Sequence, residues 1–342
     1  MGKRVMINHM VFLCLDSMSK TAMAVPVVMG FCVAYPDVEV FVVTRKKYFP
    51  LFEGSVAINM VEYDEDGGLK GFLRLRNMFV VMEDDALVDF TDNLYSRLLC
   101  RSLMPWQCKT ASVDYGREGK KMLARKFRKV FVQQKPVVDR YVEVLAGLGF
   151  EVTPQRPDRS GLVIDEPLAE KEKKSGVWIG VAPFAASNGK TYPLRQSDKL
   201  IGLLAEKCEK VFVFGRGKYE QQFAEAMEQR HEKVVAAIDI CDLRSQMNLM
   251  SHMDAMVVMD SAPMHIAALL GVKTVSVWGA THPYAGSKGW GQPDDSVIQL
   301  DMACRPCSVN GTNRCMFNDF ACMNGITPEM IVEAVSKQMS DK

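Results

Sequence analysis

Residues 254–278 constrain the fold of this chain more than any other stretch, because they read as one complete strand–helix–strand unit. Asp254-Ala-Met-Val-Val-Met259 is a short apolar run of the kind found in strands buried on both faces. Asp260-Ser-Ala-Pro-Met-His-Ile-Ala-Ala-Leu-Leu-Gly271 follows as a polar turn, a short helix and the glycine that stops it. Lys273-Thr-Val-Ser-Val-Trp278 is the next strand. Parallel strands joined through a helix belong to sheets covered on both faces, so the chain is of the α/β class. In such sheets ligands sit beyond the carboxyl ends of the strands. A helix N-terminus there offers unpaired N–H groups and a positive dipole end to an anion such as a diphosphate. An N-cap role for Asp260 and a first-turn role for Pro263 would account for those two residues structurally. They leave His265, on the same turn, unexplained.

The rest of the chain keeps the alternation. Strand patterns fall at 38–43, 57–61, 86–90 and 110–113, with helical patterns at 24–34, 69–82 and 94–103. A charged, turn-rich stretch with Pro154, Pro157, Gly161 and Pro167 comes next. Strands then resume at 177–181, 211–214 and 233–236, with helices at 197–208, 219–229 and 243–251. The expected organisation is an N-terminal Rossmann-like domain over 1–155, a linker over 156–175 and a C-terminal Rossmann-like domain over 176–342, the two facing a cleft. A chain of 342 residues suits two such cores.

Composition excludes several function classes. Apolar content of 48% and a net charge of +1 describe an ordinary globular protein and give no reason to expect nucleic acid binding. No apolar run reaches the roughly 20 residues a bilayer span needs. Lys3-Arg4, the apolar stretch 5–15 and Ala22-Met-Ala24 superficially resemble an export signal, but Asn8 and His9 interrupt its apolar core. Ten cysteines, six of them scattered, suit a reducing cytoplasm.

Asp260-Ser-Ala-Pro-Met-His-Ile-Ala-Ala268 resembles the Asp-Ser-Gly-Pro-Met-His-Ile-Ala-Ala signature of glycosyltransferase family 9, the bacterial lipopolysaccharide heptosyltransferases. Val277-Trp-Gly-Ala-Thr-His-Pro-Tyr284 is similar to the next donor-side loop of that family. Ala182-Pro-Phe-Ala185 with Gly189-Lys-Thr-Tyr-Pro193, and Cys304-Arg-Pro-Cys307 through Gly325-Ile-Thr-Pro328, match further. The likeness covers 177–340 and is weaker in the first half. It implies the GT-B architecture of two Rossmann-like domains. It also implies an inverting transfer of heptose from ADP-heptose to a lipopolysaccharide core hydroxyl, with no metal or other cofactor. The implied partners are a nucleotide-sugar donor and a lipopolysaccharide core or lipid A-linked acceptor. The implied location is cytoplasmic, with peripheral association at the inner face of the inner membrane. No residue by itself distinguishes adenine from another base.

Glycosyl transfer needs a stabilised diphosphate leaving group, a base for the acceptor hydroxyl, and positioning. The turn Ser261, Ala262, Pro263, Met264 and His265 supplies backbone N–H groups and an imidazole. Lys190, taken alone a solvated loop lysine, matches the family's donor-phosphate lysine. Asp260 matches the position that contacts the donor sugar or keeps the turn in shape. Gly215-Arg-Gly217 falls short of a dinucleotide fingerprint and is explained by a strand-end turn; Glu220 beyond it corresponds to a family glutamate that accepts ribose hydrogen bonds. The expected donor site is therefore Lys190, Glu220, Asp260 and Ser261 through His265, with Lys190 and Asp260 also acting in catalysis.

The first half breaks the pattern. The family carries a loop of the type Arg-x-Ser-x-x-Gly-Asp whose aspartate is the general base. Anchored on Ala22-Met-Ala-Val-Pro-Val-Val28, that loop falls on Cys14-Leu-Asp-Ser-Met-Ser-Lys20. Ser19 then takes the glycine position and Lys20 the aspartate position. Three readings stay open: Asp16 substitutes as base, the protein is a non-catalytic relative that binds a nucleotide sugar or core oligosaccharide, or 6–21 carries a sequence error. The stretch 117–135 holds eight Lys/Arg and one acid, Glu118. It reads as a solvated helix face or as a patch for a phosphorylated acceptor, with Arg117 and Lys120 as the acceptor-binding candidates. Cys304-x2-Cys307-x7-Cys315-x6-Cys322 has spacing that a structural zinc site could use, or that reduced thiols or disulfides occupy.

Overall fold

The computed structural model describes residues 7–54, 56–64, 66–80, 85–103, 108–160, 175–238 and 242–340. Contacts divide the chain into two compact units, Met1–Tyr115 with Val137–Val163, and Gly116–Pro136 with Ile164–Lys342. The expected pair of parallel-sheet α/β units is observed.

The first sheet has five parallel strands: β1 (His9–Leu13), β2 (Glu39–Thr44), β3 (Asn59–Glu62), β4 (Asp85–Asp89) and β5 (Lys109–Ser112), in the order β3-β2-β1-β4-β5. The central strand β1 thus lies within the apolar stretch 5–15. Met10 through Leu13 are buried and stand in register with Val40 through Val43 on one side and Ala86 through Asp89 on the other. His9, which interrupts the apolar run, sits at the strand's first position, where its Nε2 lies 3.5 Å from Glu39. The helix expected at 24–34 begins earlier, spanning Met18–Ala34 with Pro26 inside it. Every residue from Thr21 to Cys32 is buried, so this helix is apolar all round and is held by the tertiary structure around it. Residues 152–155 lie on it: a Cβ at Gly30 would overlap the Thr153 carbonyl, and Gln155 N–H donates to the Pro26 carbonyl at 2.8 Å. Within the expected linker, Arg159 donates to the Pro50 carbonyl at 3.1 Å, and residues 161–174 lie outside the described residues. Positions 81 and 82 of the expected helix 69–82 do as well; its described part is Gly68–Val80.

The second sheet has six parallel strands: β6 (Trp178–Ala182), β7 (Lys210–Phe214), β8 (Val234–Ala237), β9 (Ala255–Met259), β10 (Lys273–Trp278) and β11 (Val297–Gln299), in the order β11-β10-β9-β6-β7-β8. The buried side chains Ile179, Val181, Val211, Val213, Val257, Val275 and Val277 form one core with the helices Leu194–Ala205 and Pro328–Ser340. In both sheets the chain builds outward from its first strand in one direction, then returns to build in the other. The reversal falls between β1 and β4 in the first sheet and between β6 and β9 in the second. A doubly wound sheet opens its ligand crevice at that point, because adjacent connections leave toward opposite faces.

The basic stretch is not one long helix. Only Arg117–Leu123 is helical. The remainder is irregular and is attached to the second unit. Lys129 Nζ donates to the carbonyls of Cys304 at 2.6 Å, Pro306 at 2.9 Å and Ala303 at 3.3 Å. Gln134 N–H donates to Tyr284 at 2.8 Å, and the Phe131 ring packs 5.0 Å from those of His282 and Tyr284.

Candidate functional site

The reversal point of the second sheet brings together Lys190, in the loop after β6, and Asp260, directly after β9. Nζ lies 3.7 Å from Oδ2, and both side chains are at least 85% buried. Two features place Lys190. Ser187 O accepts the N–H groups of Lys190 and Thr191 at 3.0 and 3.1 Å, and Ala280 N–H donates to Gly189 O at 2.8 Å, fastening this loop to the one after β10. At Gly311 (φ 77°) a Cβ would press on the Lys190 stem.

The helix of the signature spans Ala262–Leu270, and its N-cap is Ser261, not Asp260. The Ser261 side chain makes no cap hydrogen bond; its hydroxyl donates instead to Met259 O at 3.4 Å. The first-turn N–H groups therefore have no capping side chain of their own, and Asp260 is released to face Lys190. Pro263 stands in the first turn, and Gly271 (φ 76°) ends the helix in the left-handed region that favours glycine. Met264 is core, and His265 is buried with its Nδ1 making no hydrogen bond within the protein. That orphaned ring nitrogen is a cost of about 1–3 kcal/mol, which a ligand acceptor or donor at this turn would relieve.

Burial sets the charge states here. It pushes the Asp260 carboxyl up, and the Lys190 ammonium opposes that. It pushes His265 down to about 4, with Lys190 adding to the effect. His282 is likewise pushed down to about 4, by burial and then by Arg305. An imidazole held below its ordinary 6.5 stays neutral in the fold, while the unfolded chain takes the proton first. Stability is therefore fully present above 6.5 and drains away as the pH falls toward 4. The loss from His265 alone is on the order of 3 kcal/mol once the pH is below both values. Asp260 and Asp89, both raised by burial, act in the opposite sense as they protonate. The expected result is a melting temperature that falls across this window and falls less in His265→Gln. An equal fall in the wild type and in His265→Gln would refute the neutral buried imidazole at 265.

Glu220 lies one strand further along, in the first turn of the helix Lys218–Arg230 after β7. Its Oε2 accepts the Arg216 N–H at 2.7 Å, so the carboxylate closes its own strand-end turn at Gly215-Arg-Gly217. Burial raises it and that N–H opposes. Arg305 was not singled out in the sequence, although it lies within Cys304-Arg-Pro-Cys307. It is buried, and its guanidinium donates to the carbonyls of Gly279 at 2.5 Å, Thr281 at 3.0 Å and Leu300. It thus shapes the loop after β10 that carries Thr281 and His282.

At the reversal point of the first sheet, Thr91 after β4 ties down the loop after β1. Leu15 N–H donates to Thr91 Oγ1 at 2.8 Å, and Thr91 Oγ1 donates to Leu13 O at 3.2 Å. Asp89, fully buried, holds that second loop by accepting from the N–H groups of Thr91 at 2.8 Å and Asp92 at 3.0 Å and from the Ser96 hydroxyl at 2.7 Å. On the loop after β1, Asp16 Oδ1 accepts the Ser17 N–H at 2.6 Å, and Oδ2 lies 2.5 Å from Lys20 Nζ. The same ammonium sits 4.2 Å from the centroid of the Tyr115 ring. Lys20 therefore brings the Asp16 carboxylate to its own tip, one helical turn away in sequence. Arg117 is exposed and Lys120 half-buried, both on the short helix Arg117–Leu123 of the second unit. Cys304, Cys307, Cys315 and Cys322 are free thiols around one pocket. Among the described residues, no group of three or more His, Cys, Asp or Glu is arranged to hold a metal ion.

Comparison with known proteins adds the following. The model of glycosyltransferase family 9 (heptosyltransferase) matches residues 74–315. Lipooligosaccharide heptosyltransferase 2 of Campylobacter jejuni (serotype O:6) is 26% identical over 141 residues, which are 40% of this chain and 43% of the relative. The match thus spans less than half the length of the curated relatives. Among solved structures, a family 9 glycosyl transferase from Veillonella parvula superposes with a TM-score of 0.73 at 16% identity, covering 98% of both chains. The heptosyltransferase WaaC of E. coli with ADP gives 0.68 at 15% identity, covering 96% of this chain and 99% of that one. At such identities the structural likeness speaks for the fold.

Proposed function

The chain belongs to glycosyltransferase family 9, and on that premise we propose that it transfers heptose from ADP-heptose to a hydroxyl of a lipopolysaccharide core, inverting the anomeric centre. The observation that carries this reading is the Lys190–Asp260 pair, 3.7 Å apart beside a helix N-terminus without a side-chain cap. A departing diphosphate gains negative charge as the bond to the anomeric carbon breaks. The Lys190 ammonium, the first-turn N–H groups and neutral His265 are fixed donors for that charge, which need not reorganise as it develops. Asp260 aims the lysine and accepts a donor hydroxyl, and Glu220 takes the ribose. The acceptor oxygen forms the new bond to the anomeric carbon while its proton passes to a base. Asp16 is the carboxylate proposed for that step, with Arg117 and Lys120 drawing in the acceptor's phosphates. The setting proposed is the cytoplasmic face of the inner membrane, with peripheral association; among the described residues no helix is long and apolar enough to cross a membrane.

Lys20 favours a second reading, a relative that binds the nucleotide sugar or core oligosaccharide without turnover. Calorimetric titration with ADP, ADP-heptose, UDP and GDP tests the donor half of either reading. Selective binding of ADP and ADP-heptose, weakened in Asp260→Ala, is expected. No binding of any nucleotide would overturn both.

A further inference from the structure

We propose that the loop 125–132 of the second unit is a docking element for an anionic lipid surface. Its sequence, Arg125-Lys-Phe-Arg-Lys-Val-Phe-Val132, interleaves four cations with four apolar side chains. The apolar ones face outward: Phe127 is 74% exposed, Val132 55%, Phe131 50% and Val130 40%. No other eight-residue stretch among the described residues exposes as many large apolar side chains. Arg125, Lys126 and Arg128 are exposed with them. Arg128 takes a left-handed backbone (φ 51°), a turn that leaves Phe127 near its tip with cations on either side.

The base of the loop is fixed. Lys129 points inward onto the three carbonyls of 303–306, Phe131 packs beside His282 and Tyr284, and Gln134 donates to Tyr284. The tip is therefore held out by its own anchors, so little ordering entropy is lost when it docks. Charge selects the occupant. Residues 117–135 carry eight Lys/Arg against one acid, in a chain whose net charge is +1. Such a cluster is attracted to a negatively charged leaflet, and a protruding phenylalanine adds apolar burial at the headgroup boundary. An acidic protein or a second copy of this chain would need a complementary acidic or apolar face, and neither is required by a lipid surface. The inference deepens the proposed membrane-borne acceptor. Vesicle binding and nucleotide binding are separate measurements, so either can fail alone.

The test is co-sedimentation of the full chain with vesicles of phosphatidylcholine alone and of equal parts phosphatidylcholine and phosphatidylglycerol. Binding to the anionic vesicles only is expected, weakening as salt rises. Phe127→Ser should lower it about tenfold, and each of Arg125→Gln, Lys126→Gln and Arg128→Gln on the order of fivefold. ADP binding and the melting temperature should stay unchanged in all four. Equal binding to neutral vesicles, none to anionic ones, or full binding by the Phe127→Ser protein would overturn the proposal. So would a dimer in sedimentation that Phe127→Ser dissociates, because the loop would then cover a second copy.

Discussion

Lys190→Ala should lower kcat/KM for ADP-heptose by about 10²- to 10³-fold, the scale seen when one fixed donor to a developing oxyanion is removed. The effect follows from position. The lysine stands at the reversal point of a doubly wound sheet, largely out of water and 3.7 Å from Asp260. An ammonium in such a place acts on a diphosphate at low effective dielectric, where charge interactions are several times stronger than in water. The fold should survive the change. Asp260 is already pushed up by burial and would protonate once Lys190 no longer opposes that shift. Asp260→Ala should cost a similar factor, and the double variant less than the product of the two, because the residues act as a pair. Steady-state kinetics beside thermal melts checks this. Unchanged kcat/KM in both single variants would remove the pair from the donor site.

Asp16→Asn should lower kcat by about 10²- to 10⁴-fold with little change in KM, the range for loss of a positioned general base. The family's aspartate position is filled by Lys20, which has no carboxylate to offer. Yet Asp16 is drawn to the Lys20 ammonium at 2.5 Å and accepts the Ser17 N–H, so a carboxylate is held at that helix N-terminus. The substitution is isosteric and keeps an oxygen for the Ser17 N–H, so a loss of rate would report the proton transfer and not the turn. If the wild type shows no turnover and the variant S19G/K20D acquires it, the non-catalytic reading holds and Asp16 is only the partner of Lys20.

Much of the second unit could be read directly. Strand β9 is a short apolar run whose burial on both faces is visible in composition, and β10 shows as a β-branched run between turns, although the burial of its Thr274 and Ser276 is not visible there. The first unit was harder. Strand β1 was obscured by Asn8 and His9; Asn8 precedes the strand and His9 is its first residue, paired with Glu39, which only the sheet register reveals. The helix Met18–Ala34 contains Pro26, which local rules place at a helix start; burial of the whole cylinder overrides that preference. The basic stretch is helical only over Arg117–Leu123, for the same reason. Its composition is that of a solvated helix, while its conformation is decided by distant acceptors such as the carbonyls of 303–306, which no local pattern encodes.

The sequence by itself determined the α/β class, the strand–turn–helix unit at 254–278 and the residues offered at the donor turn, because strand burial, helix stops and polar turns are local properties. Only the tertiary structure decided which of those residues meet. Lys190 and Asp260 are brought together because β6 and β9, far apart in the chain, are neighbours in the sheet. Ser261 in place of Asp260 became the N-cap, which left the aspartate to the lysine. Asp16 was given to Lys20 by one turn of helix on a loop that Thr91 ties down from another strand. Long-range pairing costs chain entropy that is recovered only when the whole core closes, so those choices belong to the assembled fold.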